Sequence, residues 1–352
     1  MIANILKYNL LVSLIIWSSQ AYGSRPDHEE RRVIKKAYET NKSVALEIDN
    51  QFGSIHVESW DKNQIEVEVE IIARGRNEDR AERILSKIDI DISESSDEIS
   101  FDTDANNIDT RNGSESFEIN YKVKMNPKNP IRFENKFGDI YLPFRIGVSE
   151  IDLQYGNLKS DGAEGYFLLE LAFGNAEIGN LESAEIEVQY GNVSLDEVNT
   201  LEMEQKFSNL ELLSVKTLDL ESKYGEIHLG TVDVSEVEAH FSAFKLERLL
   251  TQLVFEGNYV SGFEIEEISK DFTLVDLSGQ YSGYKLGLGA GLSADIEAEF
   301  SYAQLNHSGV DVEFYYKDFD GNKKEYRGRI NGGNPSKKII INSSYGNARL
   351  TQ

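Results

Sequence analysis

The sequence predicts an all-β protein: a right-handed parallel β-solenoid of 17–22-residue coils, preceded by a mainly β N-terminal part that carries one short helix. Three observations carry this. An aromatic residue, usually followed by Gly and often then by Asn, returns at Phe137, Tyr155, Phe173, Tyr190, Phe207, Tyr224, Phe241 and Tyr259 in steps of 17 or 18 residues. A fixed period of that size marks stacked repeats. Apolar residues also keep fixed places around each aromatic. Finally, the chain has no Cys, so neither a disulfide framework nor a thiolate metal site is available and an apolar core must hold the fold.

From the start, Lys7, the apolar run Leu10 to Trp17 and the small residues of Ala21-Tyr22-Gly23 read as a signal peptide over residues 1–23, with the mature chain beginning near Ser24. A run of about eight apolar residues is far short of the ~20 that span a bilayer, and no later stretch is long and apolar enough to be a transmembrane helix. Residues 24–43 are charged and read as a leader. Residues 44–130 form the β-rich N-terminal part. In it Val44, Leu46 and Ile48, then Ile55 and Val57, then Ile65, Val67, Val69 and Ile71 alternate with polar residues, the period of half-buried strands. Asn77 can cap a helix near 78–88, because Ala81, Ile84, Leu85 and Ile88 recur at helical spacing. Strands resume at Ile88 to Ile92, Ile99 to Asp102 and Phe117 to Met125, and Asn126-Pro127-Lys128-Asn129-Pro130 marks a boundary.

Residues 131–352 are the repeat region. Four residues before each aromatic stand Ile151, Leu169, Ile186, Met203, Leu220, Val237 and Phe255. Three after it stand Ile140, Leu158, Ala176, Val193, Leu210, Ile227 and Phe244, and eight after it Leu181, Val198, Val215, Val232 and Leu249. Such columns place the same side chains inward in every repeat, as two short strands joined at the aromatic turn would. Gly156, Gly174, Gly191 and Gly225 either adopt a backbone conformation closed to side chains or let coils approach closely. Asn157, Asn175, Asn192 and Asn209 are placed for an amide ladder, although Glu226 and Ala243 interrupt the column. An antiparallel meander of hairpins would bury the same columns; short, near-constant connections favour the solenoid. A C-terminal hairpin near 312–330 turns at Asp320-Gly321 and is expected to shield the open end of the stack.

The segment Ile48-Asp49-Asn50-Gln51-Phe52-Gly53-Ser54-Ile55-His56-Val57 with Trp60-Asp61, the Phe/Tyr-Gly-Asn turns, and the endings Ile330-Asn331-Gly332-Gly333 and Ser344-Tyr345-Gly346-Asn347 resemble the bacterial putative-adhesin family. The resemblance implies an exported, repeat-rich β-solenoid protein of largely unknown function.

There are 61 acidic and 36 basic residues, a net charge of −25, so nucleic acid and anionic lipid are repelled. A basic ligand, a divalent cation or a cationic surface is favoured instead. Three residues before the aromatic stand Asp152, Glu170, Glu187, Glu204, Glu221, Glu238 and Glu256, and five before it Glu150, Glu185, Glu202, Asp219 and Glu236. In a parallel stack these form two acidic stripes with Lys206, Lys223 and His240 beside them as partial counter-charges. Glu170, Glu187, Glu204, Glu221, Glu238 and Glu256 are therefore the candidate site, either as a solvated face or as a stripe that recruits calcium or magnesium or docks a cationic partner. Asp318-Phe319-Asp320-Gly321-Asn322 lacks the downstream ligands of a calcium loop. His28, His56, His228, His240 and His307 have no metal spacing, and no catalytic or cofactor-binding motif is present.

The function expected is a noncatalytic exported scaffold or adhesin-like binding protein, in the periplasm or at the cell surface, meeting an envelope polymer, a protein or a cell-surface partner. One alternative is a periplasmic envelope sensor or regulator partner. Another is a polysaccharide-active β-helix enzyme, but the acidic residues recur in every repeat and none stands out as a catalytic pair.

Overall fold

The structure, a computed structural model, describes residues 28–105, 108 and 115–352; the segment read as a signal peptide, residues 1–23, lies outside the described residues. Its centre is a run of consecutive coils in parallel register. Strand Asn175–Gln189 pairs with Asn192–Lys206, then with Asn209–Lys223, Glu226–His240 and Ala243–Asn258. Parallel pairing of neighbouring repeats is what a solenoid requires and a hairpin meander does not provide. Each long strand bends once, so its first half lies on one face of the stack and its second half on the other. The inward columns meet between the faces: Ile151, Leu169, Ile186, Met203, Leu220, Val237 and Phe255 are each at most 3% exposed.

The stack runs through residue 130 without a break. Strand Ile131–Lys136 lies between Ser149–Gln154 and Ala45–Gln51, and Ile140 pairs with Ile55 as well as Leu158, so residues 45–59 form a full coil. The chain between this coil and residue 131 leaves the stack and caps it. Glu98–Asp104 adds to one face and Ser116–Met125 to the other, each in parallel. Gln64–Gly75 then follows antiparallel, and His28–Glu39 pairs along its whole length. The segment read as a charged leader is thus an edge strand over His28–Glu39. With Val33 and Ile34 as its main apolar residues, it owes its form to the backbone partner and not to a buried pattern of its own. The helix spans Glu78–Leu85: Asn77 accepts from the Arg80 amide at 3.0 Å, Ala81 and Ile84 are buried, and Ile88 is buried beyond the helix end.

At the other end chain order and stacking order part. On one face the strands follow Ala243–Asn258, Leu274–Gln280, Lys338–Ser344, Ala294–Ser301, Lys323–Ile330, Val312–Asp320. The C-terminal coil is interposed between two coils that precede it in sequence, and the antiparallel hairpin of Val312–Asp320 and Lys323–Ile330 closes the end.

The turns overturn one reading of the glycines. In all twelve turns it is the aromatic residue that takes the left-handed backbone, with φ between 51° and 62°. The glycine after it serves close approach. A Cβ on Gly174 would sit 1.8 Å from the Gly156 carbonyl oxygen.

Some inward positions are polar, Asn50, Asn135 and Gln205 among them, and among the described residues one is charged. Arg145 stands in the column that continues as Ala163 and Leu181 and is wholly buried. Its Nη2 donates to the Asn129 carbonyl, while Nε and Nη1 have no partner among the described residues. Burial pulls its pKa down to about 10, so it stays cationic at neutral pH.

Candidate functional site

The six candidate glutamates fall in one row. Register pairs Glu170 with Glu187, then Glu204, Glu221, Glu238 and Glu256. The row continues back through Asp152, Glu134, Asp49 and Asp102, giving ten carboxylates on successive strands of one face. A second row on that face holds Glu185, Glu202, Asp219 and Glu236; Leu168 separates it from Glu150. Adjacent strands lie about 4.8 Å apart, and like charges at that distance repel by about 1 kcal/mol per pair in water.

Counter-charge is partial. Beside the row Lys136 meets Glu134 at 2.6 Å, Lys206 meets Glu204 at 2.5 Å, His240 meets Glu238 at 2.8 Å and Lys223 approaches Glu221 at 4.0 Å. Glu170, Glu187 and Glu256 have no ion-pair partner among the described residues. The Glu170 carboxyl is held above its usual range by burial first and then by Asp152, Glu187 and Glu185. Asp49 is raised likewise, by burial and then by Glu134 and Asp102. Among the described residues no group of three His, Asp or Glu has the geometry to hold a metal ion.

The opposite face differs in kind. Lys159, Glu177, Ser194, Glu211, His228, Lys245, Glu264 and Lys285 follow one another there. Opposite charges meet on it, Lys245 with Glu266 at 2.7 Å and Lys285 with Glu264 at 2.5 Å, and the His228 ring lies 3.3 Å from the Glu247 carboxylate. The unbalanced negative charge is therefore concentrated on one side of the stack.

Along the rim between the faces runs a feature that the spacing marked only as turns. Twelve rings from Phe52 to Tyr302 stack in an unbroken ladder, with centroids 4.8–5.1 Å apart and planes within 9°. Each ring covers its neighbours' faces and leaves its edge in water, about half exposed, as at Tyr190 with 50%. The aromatic column itself was the signal, since identical positions one coil apart must lie one strand spacing apart. Next to the rings the amides form their own ladder. Asn175 Nδ2 donates to Asn157 Oδ1 at 3.0 Å, Asn192 to Asn175 at 2.8 Å and Asn209 to Asn192 at 2.8 Å; the Glu226 backbone N–H closes the series on Asn209 Oδ1 at 3.0 Å.

Fold and surface together define a parallel β-solenoid, capped at both ends, with one strongly acidic face. No known protein-family profile matches the chain, and no curated protein does. The chain is similar to a putative adhesin from Bacteroides fragilis NCTC 9343, at 11% identity over 91% of this chain and 97% of that one, with a TM-score of 0.34. It is also similar to a putative lipid binding protein from Parabacteroides distasonis ATCC 8503 (12%, 93% and 98%, TM-score 0.36) and to a putative cell adhesion protein from Clostridium sporogenes ATCC 15579 (12%, 91% and 99%, TM-score 0.21). At such identities and TM-scores the functional reading rests on this chain's own geometry. No helix among the described residues is long and apolar enough to cross a membrane.

Proposed function

We propose that the protein is a noncatalytic, exported, adhesin-like binding scaffold that presents its acidic face to a cationic partner on an envelope polymer, a protein or another cell. The ten-carboxylate row carries this reading: repeated without interruption on one face and only partly neutralised, it gathers counter-ions and gains on releasing them to an extended polycation. The same repetition argues against catalysis, because a hydrolase needs one carboxylate pair set apart by its surroundings.

The test compares the protein with a Glu187→Gln, Glu204→Gln, Glu221→Gln, Glu238→Gln variant in pull-downs from envelope extracts at low and high salt. Capture of a basic partner that weakens in the variant and with salt is expected. Equal capture by both proteins overturns the reading. Calorimetric titration with calcium and magnesium distinguishes ion recruitment from docking, and protease accessibility on intact cells separates surface display from a periplasmic role beside a sensor.

A further inference from the structure

We infer that the concave end of the acidic face, roofed by the C-terminal hairpin, is a binding site for a neutral polyhydroxylated chain, a segment of glycan. This site lies beyond the end of the stripe that carries the proposed function, shares only Glu256 with it, and takes a ligand of different chemistry.

The row of ten carboxylates ends at Glu256. The same register then continues as Ser278, Asn342, Glu299, Glu325 and Asp318, across five further strands of the sheet. The sheet curls here, so these residues line a cleft of about 550 Å³, within the range of small-ligand sites. At its floor two neutral side chains replace the expected carboxylates. In the next row Gln280 and Ser344 stand beside them in register. The side chains of Ser278, Asn342, Gln280 and Ser344 make no hydrogen bond to the described residues.

That set selects a ligand class. Hydroxyls and amides both donate and accept, which matches a sugar whose hydroxyls do the same. Carboxylates at Glu256 and Glu299 flank the neutral floor and accept from paired hydroxyls. Lys323, on the hairpin and lining the cleft, adds a donor. The lining as a whole is acidic, with Glu256, Glu299, Asp318, Asp320 and Glu325 against Lys323 and Lys324. The neutral floor nevertheless interrupts the carboxylate row, and among the described residues no three of these groups have the geometry to hold a metal ion. Direct competition between an oligosaccharide and a polycation therefore decides between a polyhydroxylated chain and a polycation as the ligand. An apolar chain is disfavoured because its burial would strip water from unpaired polar groups. The ring ladder beside the cleft fits the same ligand. Its last four members are Tyr259, Tyr281, Tyr345 and Tyr302, each presenting a hydroxyl, whereas Phe and Tyr alternate from Phe137 to Phe241.

The site exists only because the C-terminal coil is interposed: Asn342 and Ser344 come from that coil, and Ser278 and Glu299 from the coils on either side.

Calorimetric titration of the purified full-length protein with cellohexaose, maltohexaose, chitohexaose and mannohexaose, with spermine as the polycation control, tests this. At least one oligosaccharide is expected to bind, and Ser278→Glu with Asn342→Glu, which restores the carboxylate row, is expected to weaken it about tenfold or more. Ser278→Ala with Asn342→Ala, which adds no charge, should weaken it in the same direction with an unchanged melting temperature. The four-Gln stripe variant should bind as the parent does, so failure here and failure of the proposed function are read separately. Binding of no oligosaccharide, binding by both double variants as tight as the parent's, or spermine binding that outcompetes every oligosaccharide and is lost in Glu256→Gln with Glu299→Gln overturns the inference.

Discussion

Tyr281 stacks on Tyr345, with centroids 4.8 Å apart and planes 5° apart, although Tyr302 is the next ladder residue along the chain. Tyr302 lies on the far side of Tyr345 at 4.9 Å. The C-terminal coil therefore joins two coils that do not pair with each other directly. Ile341 is its centre, wholly buried and in register with Leu277 on one side and Ala298 on the other. Ile341→Ala should cost about 2–5 kcal/mol in denaturant unfolding. Asn342→Ala, on the same strand but exposed, should stay within about 0.5 kcal/mol. In hydrogen exchange of Ile341→Ala, Leu274–Gln280 and Ala294–Ser301 should lose protection together.

The left-handed backbone at Phe207, with φ at 51°, reverses a usual order of substitution. Alanine there loses two stacking contacts, worth about 0.5–1.5 kcal/mol each, and keeps the strain of a Cβ in that region. Glycine loses the same contacts and is relieved of the strain, by about 1 kcal/mol. Thermal or chemical denaturation should therefore find Phe207→Gly no less stable than Phe207→Ala.

Close approach at the turn makes Gly174 intolerant. Gly174→Ala should destabilise by about 1–3 kcal/mol through overpacking. Gly283→Ala, whose Cβ would meet its nearest neighbour, the Asn347 carbonyl oxygen, at 3.4 Å, should melt as the parent does. At the equivalent position Ser208 is accommodated by its hydroxyl, which donates to the Lys206 carbonyl at 2.7 Å and accepts from the Gly191 amide at 3.2 Å. Gly174→Ser should thus cost less than Gly174→Ala.

Crowded carboxylates set a pH dependence of definite sign. Because Glu170 is raised in the folded state, the native protein takes up this proton at higher pH than the unfolded chain. Stability from this group therefore falls as pH rises through the window above the ordinary value of 4.5, and is regained on acidification. Asp49 acts in the same sense. The melting temperature should rise as pH is lowered from neutrality toward the ordinary carboxylate range. Glu170→Gln should flatten that rise, and added salt at neutral pH should imitate it by screening.

Arg145 stands where the column otherwise holds Ala163 and Leu181, with two nitrogens that have no partner among the described residues. Arg145→Met keeps the volume and removes a buried cation. Exchanges of buried charge for apolar packing are neutral or stabilising by about 1–4 kcal/mol, and urea unfolding of this variant should fall in that range.

How much of this was legible in the sequence follows from what repetition encodes. Leu169, Ile186 and Met203 recur at one spacing because each coil has nearly one length, so the core columns and the glutamate row could be read directly. Tyr345 could not be placed, since a hairpin stands between it and Tyr302 and periodicity carries no information about which coil a returning chain enters. His28–Glu39 has too few apolar residues to announce a strand; its partner Gln64–Gly75 supplies the order. The sequence leaves both a special backbone and close approach open for the glycines, and nothing in it points to a positive φ at the aromatic, whose cost the stacked rings offset. The cleft was hidden for the first reason: Ser278 and Asn342 become neighbours only through the interposed coil.

From Asn175 to His240 equivalent residues differ by a constant 17 positions. The molecule is in that sense a ruler graduated in whole coils. Duplicating one such segment would lengthen the acidic face by one strand spacing, add one ring to the ladder, and leave both caps and the cleft as they are. Reach can thus be altered in discrete increments, separately from what either end recognises.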